Sequence, residues 1–141
     1  MTHDEIRDFF LAQQQDWRAR DAKKLAGAHA ENGILISPIF RTVSGRPAIQ
    51  ASYELLFRTF PDWDYRAERL LIDGSAVAEP FTVAATHVGE FMGLAGSGRR
   101  FEIQGVRLFD MKDGLIAHER RYYDFTGMLV QLGVLRSKPW C

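Results

Sequence analysis

Near the C-terminus of this 141-residue chain, the run RRYYDFTG, Arg120 to Gly127, sets two arginines, two tyrosines and an aspartate side by side. Apolar residues flank it on both sides. An aspartate among aromatic rings is a candidate acid/base. Desolvation disfavours the carboxylate and moves its pKa toward neutrality, where it can take a proton from a carbon next to a carbonyl. A neighbouring arginine acts the other way. On a regular strand Asp124 shares a face with Tyr122, Arg120 and His118, while Tyr123 shares the opposite face with Arg121 and Glu119. One choice of face therefore places four residues together. The alternative is an aspartate at a strand end that caps the following segment, FTGML.

Three further residues have side chains suited to such chemistry. His87, in ATHVGEF, carries an imidazole that can donate to an enolate or shuttle a proton; otherwise it is a structural histidine bonded to a neighbouring strand. His29 lies on a short helical pattern and points either into a cavity mouth or partly into solvent. Arg107 sits mid-strand in GVRLF. It either lines a cavity and pairs with Asp124 or a ligand carboxylate, or lies on the outer sheet face beside Glu119 or Glu102. The four histidines have no metal-ligand spacing, and no catalytic metal is expected. GEFMGLAGSGRR has four glycines but no helix pattern after it, so it is not a phosphate loop.

The elements that must position these residues fall into two halves. Thr2 and Glu5 have capping-box spacing, and Ile6, Phe9, Phe10, Gln13 and Trp17 recur at helical spacing after them. A second short helix fits DAKKLAGAHA, with Asp21 as its cap and His29 on one side. GILISPIF is rich in strand formers, and Pro38 marks an edge or a bend. A third helix carries Ile49, Tyr53, Leu56, Phe57 and Phe60 and stops at Pro61. YRAERLLIDG opens the strand half, with Asp73-Gly74 as a hairpin signal. SAVAEPFTVAATHVGEF reads as a long strand with a bulge at Pro80. RFEIQGVRLFDM and LIAHERRYYDF follow, joined by KDG. Short turns between long strands predict an antiparallel meander, and helices preceding strands predict an α+β fold. A strongly curved sheet with about three N-terminal helices on its concave side leaves a pocket between them. Trp17 and Tyr53 each bring a ring with a polar handle to that wall.

Composition bounds the function. Apolar residues make up 46% and charged residues 26%, with Lys plus Arg equal to Asp plus Glu at 18 each, so no basic field favours nucleic acid. The length predicts one domain over residues 1–141. The single cysteine, Cys141, cannot form an intrachain disulfide. No apolar run has bilayer-spanning length and the first residues lack a signal-peptide core, so the expectation is a cytoplasmic protein without membrane partners.

Several segments together carry a resemblance: SGRPAI, FRTFPDW, DGSAVAEPFTVAATHVGEFMG, GRRFEIQGVRLFDMKDG and ERRYYDFTGMLVQLG. In this order the chain resembles the SnoaL-like branch of the nuclear-transport-factor-2-like superfamily, over nearly its whole length. The resemblance implies a cone-shaped cavity, a homodimer, and a cofactor-independent polyketide cyclase or isomerase that acts on a small hydrophobic carbonyl compound by aldol or enolisation chemistry. It implies an acidic residue on the last strand as acid/base, for which Asp124 is the matching position. The residues themselves add His87 as an assisting group and Trp17, Tyr53, His29, Arg107 and Tyr122 as candidates around the ligand. Ketosteroid isomerases share the fold, but their pattern needs a tyrosine on the first helix, which is absent here. A ligand-binding or dimerisation module of the same fold is the alternative.

Overall fold

The computed structural model describes residues 1–136; Cys141 lies outside them. The fold is α+β: four helices and a curved, unclosed sheet of seven strands. Helix α1 (His3–Ala19) begins with the expected capping box, in which Thr2 accepts from the Glu5 amide and Glu5 accepts from the Thr2 amide. Its buried stripe is Ile6, Phe10, Gln13 and Trp17, so a glutamine stands where the pattern asks for an apolar side chain. Helix α2 (Ala22–Gly27) is capped by Asp21. Helix α3 (Arg46–Thr59) buries Ile49, Tyr53 and Leu56 and ends before Pro61.

Strands β1 (His29–Ser37), β2 (Arg41–Ser44), β3 (Asp64–Ala67), β4 (Leu71–Asp73), β5 (Ala76–Thr86), β6 (Arg100–Lys112) and β7 (Leu115–Tyr123) order as β2-β1-β7-β6-β5-β3, with β4 also paired to β5. The predicted meander is β5-β6-β7, antiparallel throughout, and β1 closes onto β7 in parallel. Helix α4 (Phe125–Gln131) follows β7.

Three local expectations change. His29 is the first residue of β1 rather than part of α2. YRAERLLIDG splits into β3 and β4. Pro80 makes no bulge, because β5 and β6 stay in register from Ala76–Asp110 to Thr86–Arg100. The Pro80 carbonyl accepts from Glu68 in the gap between β3 and β4. In a strand, N and O of one residue point to the same neighbour, so the missing N–H also falls at that gap and no ladder bond is lost.

Between Asp110 and Met111 the β6–β7 register slips by one residue at a bulge. Ile116 and Glu119 consequently both face inward despite their opposite parity. The loop after β5 crosses the end of α3, where the Thr59 carbonyl accepts from the Val88 and Gly89 amides. A Cβ at Gly89 would lie 2.6 Å from the Arg58 carbonyl oxygen, so only glycine permits that approach. Among the described residues no helix is long and apolar enough to cross a membrane.

Candidate active site

The inward faces of β5, β6 and β7 are apolar by alternation, with charged exceptions. Glu79 stands between Val77 and Phe81, and Arg107 between Gly105 and Phe109; Glu119 and Arg121 alternate inward on β7. Cross-strand register puts Glu79 opposite Arg107, Arg107 opposite Arg121, and Phe109 opposite Glu119. Two facing arginines repel, so the arrangement depends on the carboxylate beside them. Glu119 supplies it. Its Oε2 accepts from Arg107 Nε at 2.9 Å and from Arg121 Nε at 2.6 Å, and its Oε1 accepts from Arg107 Nη2 at 3.2 Å. Arg107 Nη1 reaches Glu79 and the Tyr65 hydroxyl, each at 3.2 Å, and the Gln13 carbonyl oxygen at 3.3 Å. Tyr65 donates to Glu79 at 2.5 Å. Arg121 Nη2 donates to the Tyr53 hydroxyl at 2.8 Å.

Arg107 and Glu119 are 1% and 0% exposed. Burial by itself would raise the Glu119 pKa, but the charges of Arg107 and Arg121 outweigh it and hold the carboxyl well below its usual range. Glu119 is therefore a permanent anion and an anchor, unsuited to exchanging protons near neutrality. Burial raises the Tyr53 hydroxyl above its ordinary value, and the Tyr65 hydroxyl well above it. Both remain protonated donors. The guanidiniums are also held between rings: Arg107 lies 5.1 Å from the Trp17 centroid and 4.6 Å from that of Phe109, and Arg121 lies 5.3 Å from that of Tyr53.

Above this cluster is a small cavity of about 20 Å³, walled by Trp17, Trp63, Tyr65, Phe81, Tyr123 and their apolar neighbours, with Arg107 and Arg121 at its floor. That volume is of the order of one water. Ile39, Phe40 and Leu56 line it and also line an adjoining surface groove of about 170 Å³ between α3 and the loop at Phe91. The turn after Pro38 thus separates the cavity from the groove.

The expected site residues divide. Trp17 and Arg107 line the cavity. Tyr53 holds Arg121 from behind. His29 is fully buried behind Glu119, with Nε2 3.5 Å from Oε1, and burial lowers its pKa to about 4, so it is neutral. His87 is buried elsewhere, against Phe60 and Phe91, with Nδ1 3.0 Å from the Ser97 hydroxyl. It does not assist at this cavity. Asp124 is corrected outright. It is exposed and is the N-cap of α4, accepting from the Gly127 amide at 2.8 Å. The parity grouping holds for Tyr122, Arg120 and His118, which line a groove with Leu108 on the outer face, but the strand ends at Tyr123 and the grouping does not extend to Asp124. Tyr122 is therefore not a cavity residue, and Arg107 pairs with Glu119 and Glu79 rather than Asp124.

Sequence reasoning missed Glu79, Tyr65, Glu119, Arg121 and Trp63. A signal existed for the first: in VAEPFTV a lone acid occupies the apolar register. The same register in FEIQGVRLFDM marks Arg107. Gln13 shows it at helical spacing.

A buried ionic cluster beneath an aromatic cavity in a curved α+β sheet is the architecture of a small-molecule site. The sequence profile of the SnoaL-like polyketide cyclases matches residues 8–132, and the chain belongs to that family. It is 30% identical over 103 residues to the aklanonic acid methyl ester cyclase AcmA of Streptomyces galilaeus, covering 72% of this chain and 68% of that protein. The corresponding cyclase DnrD of Streptomyces peucetius is 32% identical over 68 residues, 48% of this chain and 44% of DnrD. Among solved structures, AclR from Streptomyces galilaeus superposes with a TM-score of 0.83 at 25% identity, covering 98% of this chain and 91% of AclR. These relatives support an enzyme.

Proposed function

We propose that the chain is a cofactor-independent cyclase that closes a ring in a hydrophobic carbonyl compound by an intramolecular aldol step over this cluster, in the space that opens when the turn at Ile39 and Phe40 moves aside and joins the one-water cavity to the adjoining groove. The observation that carries the reading is the cluster itself. Taking ions out of water costs several kcal/mol each, and a hydrophobic replacement of similar volume is often no less stable, so four charged side chains in one core point to use. Aldol closure moves one proton from carbon to oxygen with no net gain or loss. Arg107 and Arg121 are fixed donors for the enolate oxygen that develops. Tyr65 reaches the cavity with its hydroxyl on Glu79, and this pair takes the proton and returns it to the new alkoxide. Asp124 has no part in it.

The substrate to assay first is aklanonic acid methyl ester, after the relatives' name. Cyclisation that is lost in Tyr65→Phe and Glu79→Gln but kept in Asp124→Asn supports the assignment. Turnover undiminished in both cavity variants would sink it, and saturable binding without turnover would make the chain a ligand-binding member of its family.

A homodimer is part of the proposal. The outer sheet groove, about 580 Å³, is lined by Leu71, Leu108 and Tyr122 together with Asp73, Asp110, His118 and Arg120. Apolar surface flanked by both signs of charge suits a second copy related by a two-fold axis. A monomeric mass by light scattering at micromolar concentration would remove it.

A further inference from the structure

Polar atoms without partners distinguish the cavity from an ordinary core. Trp17 is 3% and Trp63 8% exposed, both line the cavity, and among the described residues neither indole Nε1–H has a hydrogen-bond partner. Buried indole N–H groups usually find one, because an unmet donor costs the full desolvation of that group. Outside the cavity wall, the Gln13 carbonyl oxygen accepts from Arg107, which fixes the amide orientation and leaves Nε2 unpaired among the described residues. Arg121, at the cavity floor, is held by its Nε on Glu119 and its Nη2 on Tyr53. The acceptors are already taken. Both Glu119 oxygens accept from guanidinium, and the Tyr65 oxygen accepts from Arg107 while its proton goes to Glu79. Apart from the second lone pair of the Tyr65 oxygen, through which a proton can pass to Glu79, what the cavity offers a ligand is donors, on an otherwise apolar wall.

We infer that Trp17 and Trp63 are specificity residues whose indole N–H groups hold acceptor oxygens of the ligand, so that the site takes compounds presenting bare carbonyl or enolate oxygens and rejects apolar isosteres. This rests on the cavity being the ligand site, as the proposed function has it. The physical basis is asymmetric. A site built of unmet donors binds an oxygen acceptor well, and an analogue lacking the oxygen leaves those donors desolvated and unpaired. A two-donor clamp also fixes which oxygen lies against Arg121, and so orients the ring-closing carbons.

The test reads the indole protons directly on the full wild-type chain. ¹H–¹⁵N spectra are recorded during titration with acetophenone and, in parallel, with ethylbenzene, which has the same ring without the oxygen. Trp17→Phe, Trp63→Phe and Trp140→Phe variants assign the three indole resonances, and any two suffice if one variant fails to fold. The expected result is a saturable downfield shift of the Trp17 and Trp63 indole protons with acetophenone, at least several-fold larger than with ethylbenzene. Equal shifts with the two probes, or no shift with either, overturn the inference. Cyclase activity is scored separately. Turnover with unresponsive indoles refutes the donor clamp and spares the proposed function; responsive indoles without turnover do the reverse.

Discussion

The two faces of β7 carry nearly the same residue types to opposite ends. Inward lie Glu119 and Arg121; outward lie His118, Arg120 and Tyr122, with Asp124 just beyond the strand. Arg121 is held by Glu119 and Tyr53 in a pocket of rings. Arg120, one residue away, touches only the exposed Tyr122 hydroxyl at 3.2 Å. The lesson is that an acid and an arginine acquire strength from where water is excluded, not from being neighbours in sequence. At an exposed pair, solvent screening leaves little; in the core, each partner is needed because the other would be left charged and alone.

The largest break in this comparison comes from the inner carboxylate. Glu119→Gln leaves two buried guanidiniums without their shared anion and should cost roughly 3–5 kcal/mol by urea denaturation. A cost below 1 kcal/mol would mean that water reaches the cluster.

His29 gives the next effect, through pH. Its folded pKa of about 4 lies below the ordinary 6.5, so the unfolded chain binds the extra proton first. The His29 contribution is thus complete above pH 6.5 and is lost as pH falls from there toward 4, by about 3 kcal/mol in all at about 1.4 kcal/mol per pKa unit. Denaturation midpoints from pH 7.5 to 4.5 should fall less steeply in His29→Leu than in the wild type; parallel slopes would disprove the assignment.

Removing one inner hydroxyl is smaller again. Tyr53→Phe takes the acceptor from Arg121 and should cost roughly 1.5–3 kcal/mol, whereas Tyr122→Phe on the outer face should be silent. Asp124→Ala removes a helix cap, worth about 1 kcal/mol, and should leave turnover intact. Smallest of all, Arg120→Ala should stay within about 0.5 kcal/mol of the wild type when measured on the dissociated monomer. At concentrations where light scattering reports a dimer, a further cost of Arg120→Ala that grows with protein concentration should appear, because Arg120 then lies in the contact.

Much of the architecture was legible because it depends on local chemistry. The Thr2–Glu5 box, the Asp21 cap, the stop at Pro61 and the 2-residue period of β5, β6 and β7 are written in short windows, and the structure realises each. Parity correctly grouped Tyr122, Arg120 and His118, but it failed at Asp124, where the strand has ended, and it does not say which side of a sheet is covered. The bulge at the β6–β7 hairpin adds to this, since one slipped residue brings Ile116 and Glu119 to the same face.

By itself, then, the sequence determined the elements, their order, the family and the fact that a few charges stand in apolar register. Only the tertiary structure decided that Glu79, Arg107, Glu119 and Arg121 meet, that Asp124 caps a helix in solvent, and that His87 and His29 stand apart. The reason is physical. A cap or a turn is settled by residues within hydrogen-bond reach along the chain, whereas Arg107 meets Gln13 across 94 positions of sequence. Such a contact exists only once the sheet has curved and α1 has closed over it.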